Sequence, residues 1–320
     1  MVNQVNQLWR GAIASLAIGA SISSIAPVAH AANPSHLQQL LETNECRNCD
    51  LSEADLSGVD LQRAKLSGSN LIEANLSGAD LRYADLTGAN LTLASLDNAD
   101  LEFAVLDRAT LYRASLDAAD LGDASLVRTT LTHASLINAN LQGSTLTTAD
   151  LSEANLEAAN LSRATLIESN LRQSNLSNAD LSRSRLNQAN LSLANLSNAD
   201  LSRATLSYAD LTRAVLLNAD LSNANLGGAI LRDAQMSSAI LQQANLRQAN
   251  LRNVNLRYGD LRRADLSYGD LRNANLFEAD LENADLTAVE LGTVILCRAT
   301  LPDASLSDQG CRRRGELENQ

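Results

Sequence analysis

From Leu51 to Leu306 the chain sets an apolar residue at every fifth position, with mostly polar residues between. The register covers 52 positions, of which 51 are Leu and one is Met236. A step of five fits neither the 3.6-residue period of a helix nor the 2-residue period of a strand. A second apolar position lies two residues before each leucine and is always small or modest: 39 of the 52 are Ala, and the others are Ser, Val, Gly, Thr or Cys49. If each pentapeptide forms one short side of a square coil, the leucine and the small residue both point inward and fill a narrow interior without voids. The other three residues then face water. Four pentapeptides close a coil, which gives about 13 coils stacked at a strand spacing of ~4.8 Å, a rod about 60 Å long.

The residue before each leucine is most often Asp or Asn, and the residue after it is often Ser, Thr or Arg. This A-(D/N)-L-x-x unit, held over about 256 of 320 residues, resembles the pentapeptide repeat family. The resemblance implies an all-β solenoid, a right-handed quadrilateral β-helix. Finer structure recurs every ten residues. Positions 58, 68, 78, 88 and 228 are Gly and 98, 138, 178, 198 and 218 are Asn, both tolerant of positive φ. The alternate positions are bulkier, as at Glu53, Arg63, Glu73, Tyr83, Leu93, Phe103 and Arg113. That contrast predicts different turn types on different sides of the square, in keeping with the two turn classes found in the family.

The ends read differently. Met1–Ala31 has the pattern of a secretory signal, with Arg10 in a polar start, an apolar stretch and Ala29-His30-Ala31 as a cleavage site; an uncleaved anchor is the other reading. No later segment is apolar enough to span a bilayer. Residues 32–50 are expected to form an N-terminal cap, with a short helix opening at Asn33-Pro34-Ser35 whose Leu37, Leu40 and Leu41 share one face. The repeats span 51–306, and 307–320 form a C-terminal cap and tail. Of the three pairings that four cysteines allow, Cys46–Cys49 and Cys297–Cys311 are the plausible ones, because coils ~60 Å apart cannot be bridged. The "LLETNECRNCDLSEADL" start and the "C…LPD…GC" ending also resemble exported cyanobacterial members of the family. This implies the periplasm or the thylakoid lumen.

Candidate chemistry is sparse. Cys46-Arg47-Asn48-Cys49 reads as a structural clip, with a redox motif as the alternative. Three histidines are scattered and no nucleophile–base constellation can be assembled, so no enzyme activity, cofactor or metal is expected. Residues 20 apart share a column, and one column holds Asp60, Asp80, Asp100, Asp120, Asp180, Asp200, Asp220, Asp260 and Asp280. Its carboxylates either accept turn N–H groups or form an acidic stripe for cations or a basic partner. Arg63, Arg163, Arg183, Arg203 and Arg263, three residues on, are expected to offset the charge. Ile230, Met236 and Ile240, where the pattern lapses, and Tyr83 and Phe103 in one column, are candidates for an interaction or homodimer patch.

Without the signal the chain has 24 basic and 37 acidic residues. That net of −13 argues against binding nucleic acid. Some family members mimic duplex DNA and bind gyrase, but a ~60 Å duplex carries about 35 phosphate charges. The expected role is a non-catalytic exported scaffold that presents a polar, acidic surface to an unnamed protein partner, with DNA mimicry as the alternative.

Overall fold

The structure is a computed structural model that describes residues 32–311. The predicted signal segment, Met1–Ala31, and the tail after Cys311 lie outside the described residues.

The residue before each leucine makes a parallel bridge to the residue 20 further on, in a ladder running from Glu45 with Lys65 to Asp280 with Thr300. Four pentapeptides therefore complete one coil. Each side is bonded to the coils above and below: Leu161 N donates to Asp180 O at 2.6 Å, and Asn160 N donates to Ala139 O at 2.9 Å. Leucine and alanine fill the interior, with Leu161 and Ala159 both fully buried. Serines at the small position are accommodated because the hydroxyl finds a backbone carbonyl, three residues earlier in all but Ser69, which donates to Cys46 O. Ser144 donates to Leu141 O at 2.7 Å and Ser184 donates to Leu181 O at 2.6 Å.

The corners overturn the expectation of two turn types. The residue two after each leucine has a left-handed φ from Asn48 to Arg298, with Thr293 the exception. Gly58 (63°) and Asn98 (56°) share this conformation with Glu53 (58°), Tyr83 (61°) and Leu93 (61°). In each corner the N–H of the small residue closes back on the leucine carbonyl, as Ala164 N does on Leu161 O at 3.0 Å. A four-residue turn with positive φ at its third position is of type II. The strain is offset by the ladder, because the left-handed residue's own N–H is bonded: Glu53 N donates to Ile72 O at 2.8 Å. The sequence does carry the matching restriction. No Val or Ile stands at a left-handed corner, and Thr148 is the one β-branched residue there among the described residues.

Helix α1, Pro34–Thr43, covers the first coil. Asn33 caps it by accepting from Ser35 N at 3.0 Å, and Asn44 ends it at φ 59°. Leu40 is buried and Leu37 partly buried, but Leu41 is 51% exposed. One further residue of helical rotation turns it out to solvent. At the other end the ladder breaks at Glu290, which has no bridge to Asp270. There Thr293 Oγ1, and not a backbone carbonyl, accepts Asn273 N. The chain then folds back in antiparallel fashion, pairing Thr300 with Leu306. Leu296 N donates to Gln309 O at 3.1 Å, Arg298 N to Ser307 O at 2.8 Å and Ser307 N to Ala299 O at 2.9 Å. Gln309 Nε2 satisfies two further carbonyls, Leu291 O at 2.6 Å and Val294 O at 2.9 Å. Among the described residues no helix is long and apolar enough to cross a membrane.

Candidate functional site

The aspartate column sits on one side of the coil, and its carboxylates work in the turns. Oδ1 of Asp60, Asp80, Asp100 and Asp120 accepts the N–H two residues on at 2.9–3.2 Å. Asp180, Asp200 and Asp220 do the same at 2.8 Å, and Asp260 and Asp280 at 3.2 and 3.0 Å. Asn140 and Asn160 replace Asp without loss: each accepts the same N–H, and their amides donate to the preceding coil, Asn140 Nδ2 to Asp120 Oδ1 at 2.8 Å and Asn160 Nδ2 to Asn140 Oδ1 at 3.0 Å. The uniform geometry explains why Asp and Asn interchange here. Among the described residues no group of three or more His, Cys, Asp or Glu is arranged to hold a metal ion.

Charge compensation differs from the expectation. None of Arg63, Arg163, Arg183, Arg203 and Arg263 forms an ion pair among the described residues; Arg63 instead lies over the Tyr83 ring at 5.3 Å. The arginines that pair with the column's aspartates stand two residues after one of them, on the same side of the coil. Arg82 grips Asp80 with Nε at 2.9 Å and Nη2 at 2.5 Å, and its Nε lies 3.3 Å from Asp100. Gln62 adds a bond to Asp80 Oδ2 at 2.6 Å. The same group recurs far up the column, where Arg262 grips Asp260 at 2.9 and 2.6 Å and Gln242 donates to Asp260 at 2.6 Å. Arg272 holds Asp270 likewise. The signal for these clamps is the tripeptide Asp-Leu-Arg, which stands at all three sites.

The Arg82 hydrogen bonds hold the Asp80 carboxyl below its ordinary value, against a smaller opposing effect of burial. Asp260 and Asp270 are lowered in the same way by Arg262 and Arg272. A carboxylate with a depressed folded-state pKa contributes stability above its unfolded value, and this is lost as pH falls through the folded one. Arg82→Ala should therefore raise the Asp80 pKa and destabilise the chain at neutral pH, and the difference should vanish in acid once Asp80 is protonated in both proteins. Carbon-detected NMR titration and melting at both pH values check this; an unmoved Asp80 pKa would refute it.

The five residues of the expected patch do not come together. Met236 occupies the leucine register and is fully buried. Ile230 bridges Asp210 and Asn250 whereas Ile240 bridges Asp220 and Asp260, so half a coil separates the two and they face opposite ways. Each is exposed singly, at 40% and 37%. Tyr83 and Phe103 do meet, stacked with ring centroids 5.1 Å apart and planes 12° from parallel. Cys46 is joined to Cys49 and Cys297 to Cys311, with Cα atoms 5.4 and 4.8 Å apart. The first bridge lies where α1 enters the first coil, both cysteines being buried; the second ties the fold-back to the last coil.

The family model for pentapeptide repeats matches in eight copies, over residues 45–82, 74–111, 114–152, 149–192, 194–233, 229–267 and 260–292. The chain belongs to the pentapeptide repeat family. The square coil described above is the family's right-handed quadrilateral β-helix. Among solved structures, the chain is similar to HetL, a pentapeptide repeat protein involved in heterocyst differentiation regulation in Nostoc sp. strain PCC 7120. The two are 31% identical over 87% of this chain and 100% of HetL, with a TM-score of 0.26. A pentapeptide repeat protein of the Arabidopsis thaliana thylakoid lumen is 28% identical over 38% of this chain and 70% of its own, with a TM-score of 0.26. QnrB1, a plasmid-mediated fluoroquinolone resistance protein, is 19% identical over 72% of this chain and 92% of its own, with a TM-score of 0.32. The comparison with curated proteins gives no match.

Proposed function

We propose that this pentapeptide repeat protein is a non-catalytic, exported scaffold whose polar, acidic sides bind a protein partner in the periplasm or thylakoid lumen. The observation that carries this reading is the Arg63–Tyr83–Phe103 ladder, a preformed and exposed stack on a mostly polar lattice. Tyr83 is 50% and Phe103 39% exposed. Aromatic rings beside arginine are the residues that dominate binding energy at protein interfaces, and here they are held by backbone on both sides. The rest of the surface supports the reading by what it is committed to, since the Asp and Asn columns serve the turns. The two disulfides suit an oxidising compartment and act as structural clips at the ends.

Capture by cross-linking from the native compartment tests this, with the wild-type protein beside a Tyr83→Asn/Phe103→Asn variant. Asparagine suits the left-handed corners, so the fold is retained. A specific partner recovered with the wild type and reduced at least tenfold with the variant is expected. Equal recovery with both would remove the aromatic ladder as the binding site. Inhibition of gyrase supercoiling by the purified protein would replace the scaffold reading by DNA mimicry.

A further inference from the structure

In the central coils of the aspartate side, both signs of charge are left open. Asp180, Asp200 and Asp220 have Ser182, Ser202 and Ser222 where Asp80 and Asp260 have their clamping arginines. Their Oδ1 atoms accept the serine N–H at 2.8 Å, and among the described residues none of the three forms an ion pair. Arg183 and Arg203, one position beyond Ser182 and Ser202, and Arg163 beyond Ser162 in the preceding coil, form no ion pair among the described residues either. A shallow trough runs along these coils, with the aspartates on one wall, the arginines on the other and the serines between them. The ingredients of the Arg82 clamp are all present, yet they are arranged so that neither wall neutralises the other.

We infer that this side is a contact between two copies of the chain, packed in parallel about a two-fold axis that runs along the solenoid. Such an axis exchanges left and right across the side and keeps height unchanged. Asp180 then meets Arg183 of the second copy, Asp200 meets Arg203, and each pair occurs twice. Further along, Arg63 meets Asp60, whereas Asp260, opposite Arg263, is already held by Arg262 and Gln242. A two-fold axis perpendicular to the solenoid would instead lay aspartate column on aspartate column, which repels. One coil opposes the parallel arrangement, because there Asp120 meets Asp123.

Pitch selects the occupant. The walls repeat once per coil, about every 4.8 Å, whereas side chains on one face of an extended peptide recur every ~6.7 Å and those of an α-helix every ~5.4 Å. Another β-coil matches the spacing over several rungs. A side about 60 Å long and about 10 Å wide offers about 600 Å² per copy, less than the ~800 Å² of a standard interface. The contact is accordingly a micromolar and salt-sensitive one. It does not depend on the export reading, and because Tyr83 and Phe103 stand on the same side it competes with the partner proposed above for that surface.

Sedimentation equilibrium of the purified protein, up to about 100 μM, is the test. At low salt the mass should rise toward twice that of the chain, and the dissociation constant should increase at least about tenfold at high salt. Arg183→Glu/Arg203→Glu and Asp180→Arg/Asp200→Arg should each remain single chains, the first with unchanged melting and the second melting lower by the loss of two turn hydrogen bonds. Both changes are tolerable, since Glu153 stands at a left-handed corner and Arg185 at a position before leucine. An equal mixture of the two variants should restore the doubled mass. A wild-type protein that stays at single-chain mass, variants that dimerise like the wild type, or a mixture that fails to associate would each overturn the proposal.

Discussion

Leu161→Ala should cost about 3–5 kcal/mol, the high end for truncating a buried leucine. Leu161 is fully buried, and the interior around it is one leucine and one small residue per side. The neighbouring coils are fixed by backbone bonds above and below, so they cannot close over the void. In a stack where each coil touches only its neighbours, the loss is felt locally first. Urea denaturation gives the magnitude, and amide exchange of coils on either side of residue 161 gives the location. Leu161→Met is the control: Met236 already fills this register while fully buried, and the swap should cost less than about 1.5 kcal/mol. A loss below about 1 kcal/mol for alanine would mean that the interior can collapse.

The second large effect is expected at the C-terminal end. Replacing Cys297 and Cys311 together by serine should remove about 3 kcal/mol from the fold-back, the value for a loop of this length. The separation is 14 residues. Four backbone bonds and the two carbonyls held by Gln309 remain, but they belong to a short segment at the edge of the stack. Amide protons of Leu296, Arg298 and Ser307 should exchange at least about tenfold faster, while those of the central coils stay protected. Unchanged exchange at these three would show that the hydrogen bonds alone hold the fold-back.

The interior was legible in the sequence because packing leaves it no freedom. A leucine at each fifth position and an alanine two before it have one common solution, and the helix at Asn33-Pro34-Ser35 was marked by its cap. The register even placed Met236 inside; reading it with Ile230 and Ile240 as one patch neglected that ten residues are half a coil. Turn type was misread for a physical reason. Gly and Asn are the residues that tolerate a left-handed corner alone, but Glu53, Tyr83 and Leu93 adopt the same φ because their N–H groups are bound into the ladder. The arginine partners of the aspartates were likewise misplaced by one residue. Column period fixes which residues are stacked, but not which guanidinium reaches a carboxylate. Little of the function is legible, since most outward Asp and Asn residues are spent on making corners.

The corners from Asn48 to Ala288 share a single turn. Every side of the coil is interchangeable as backbone, so inserting or deleting five residues leaves the interior register intact. It rotates everything downstream by a quarter turn. The Arg63–Tyr83–Phe103 ladder and the open charges around Asp200 belong to the same side only because a whole number of coils lies between them. The chain thus behaves as a combination dial: five-residue steps re-aim its surface features relative to one another, and twenty-residue steps lengthen it without changing the aim.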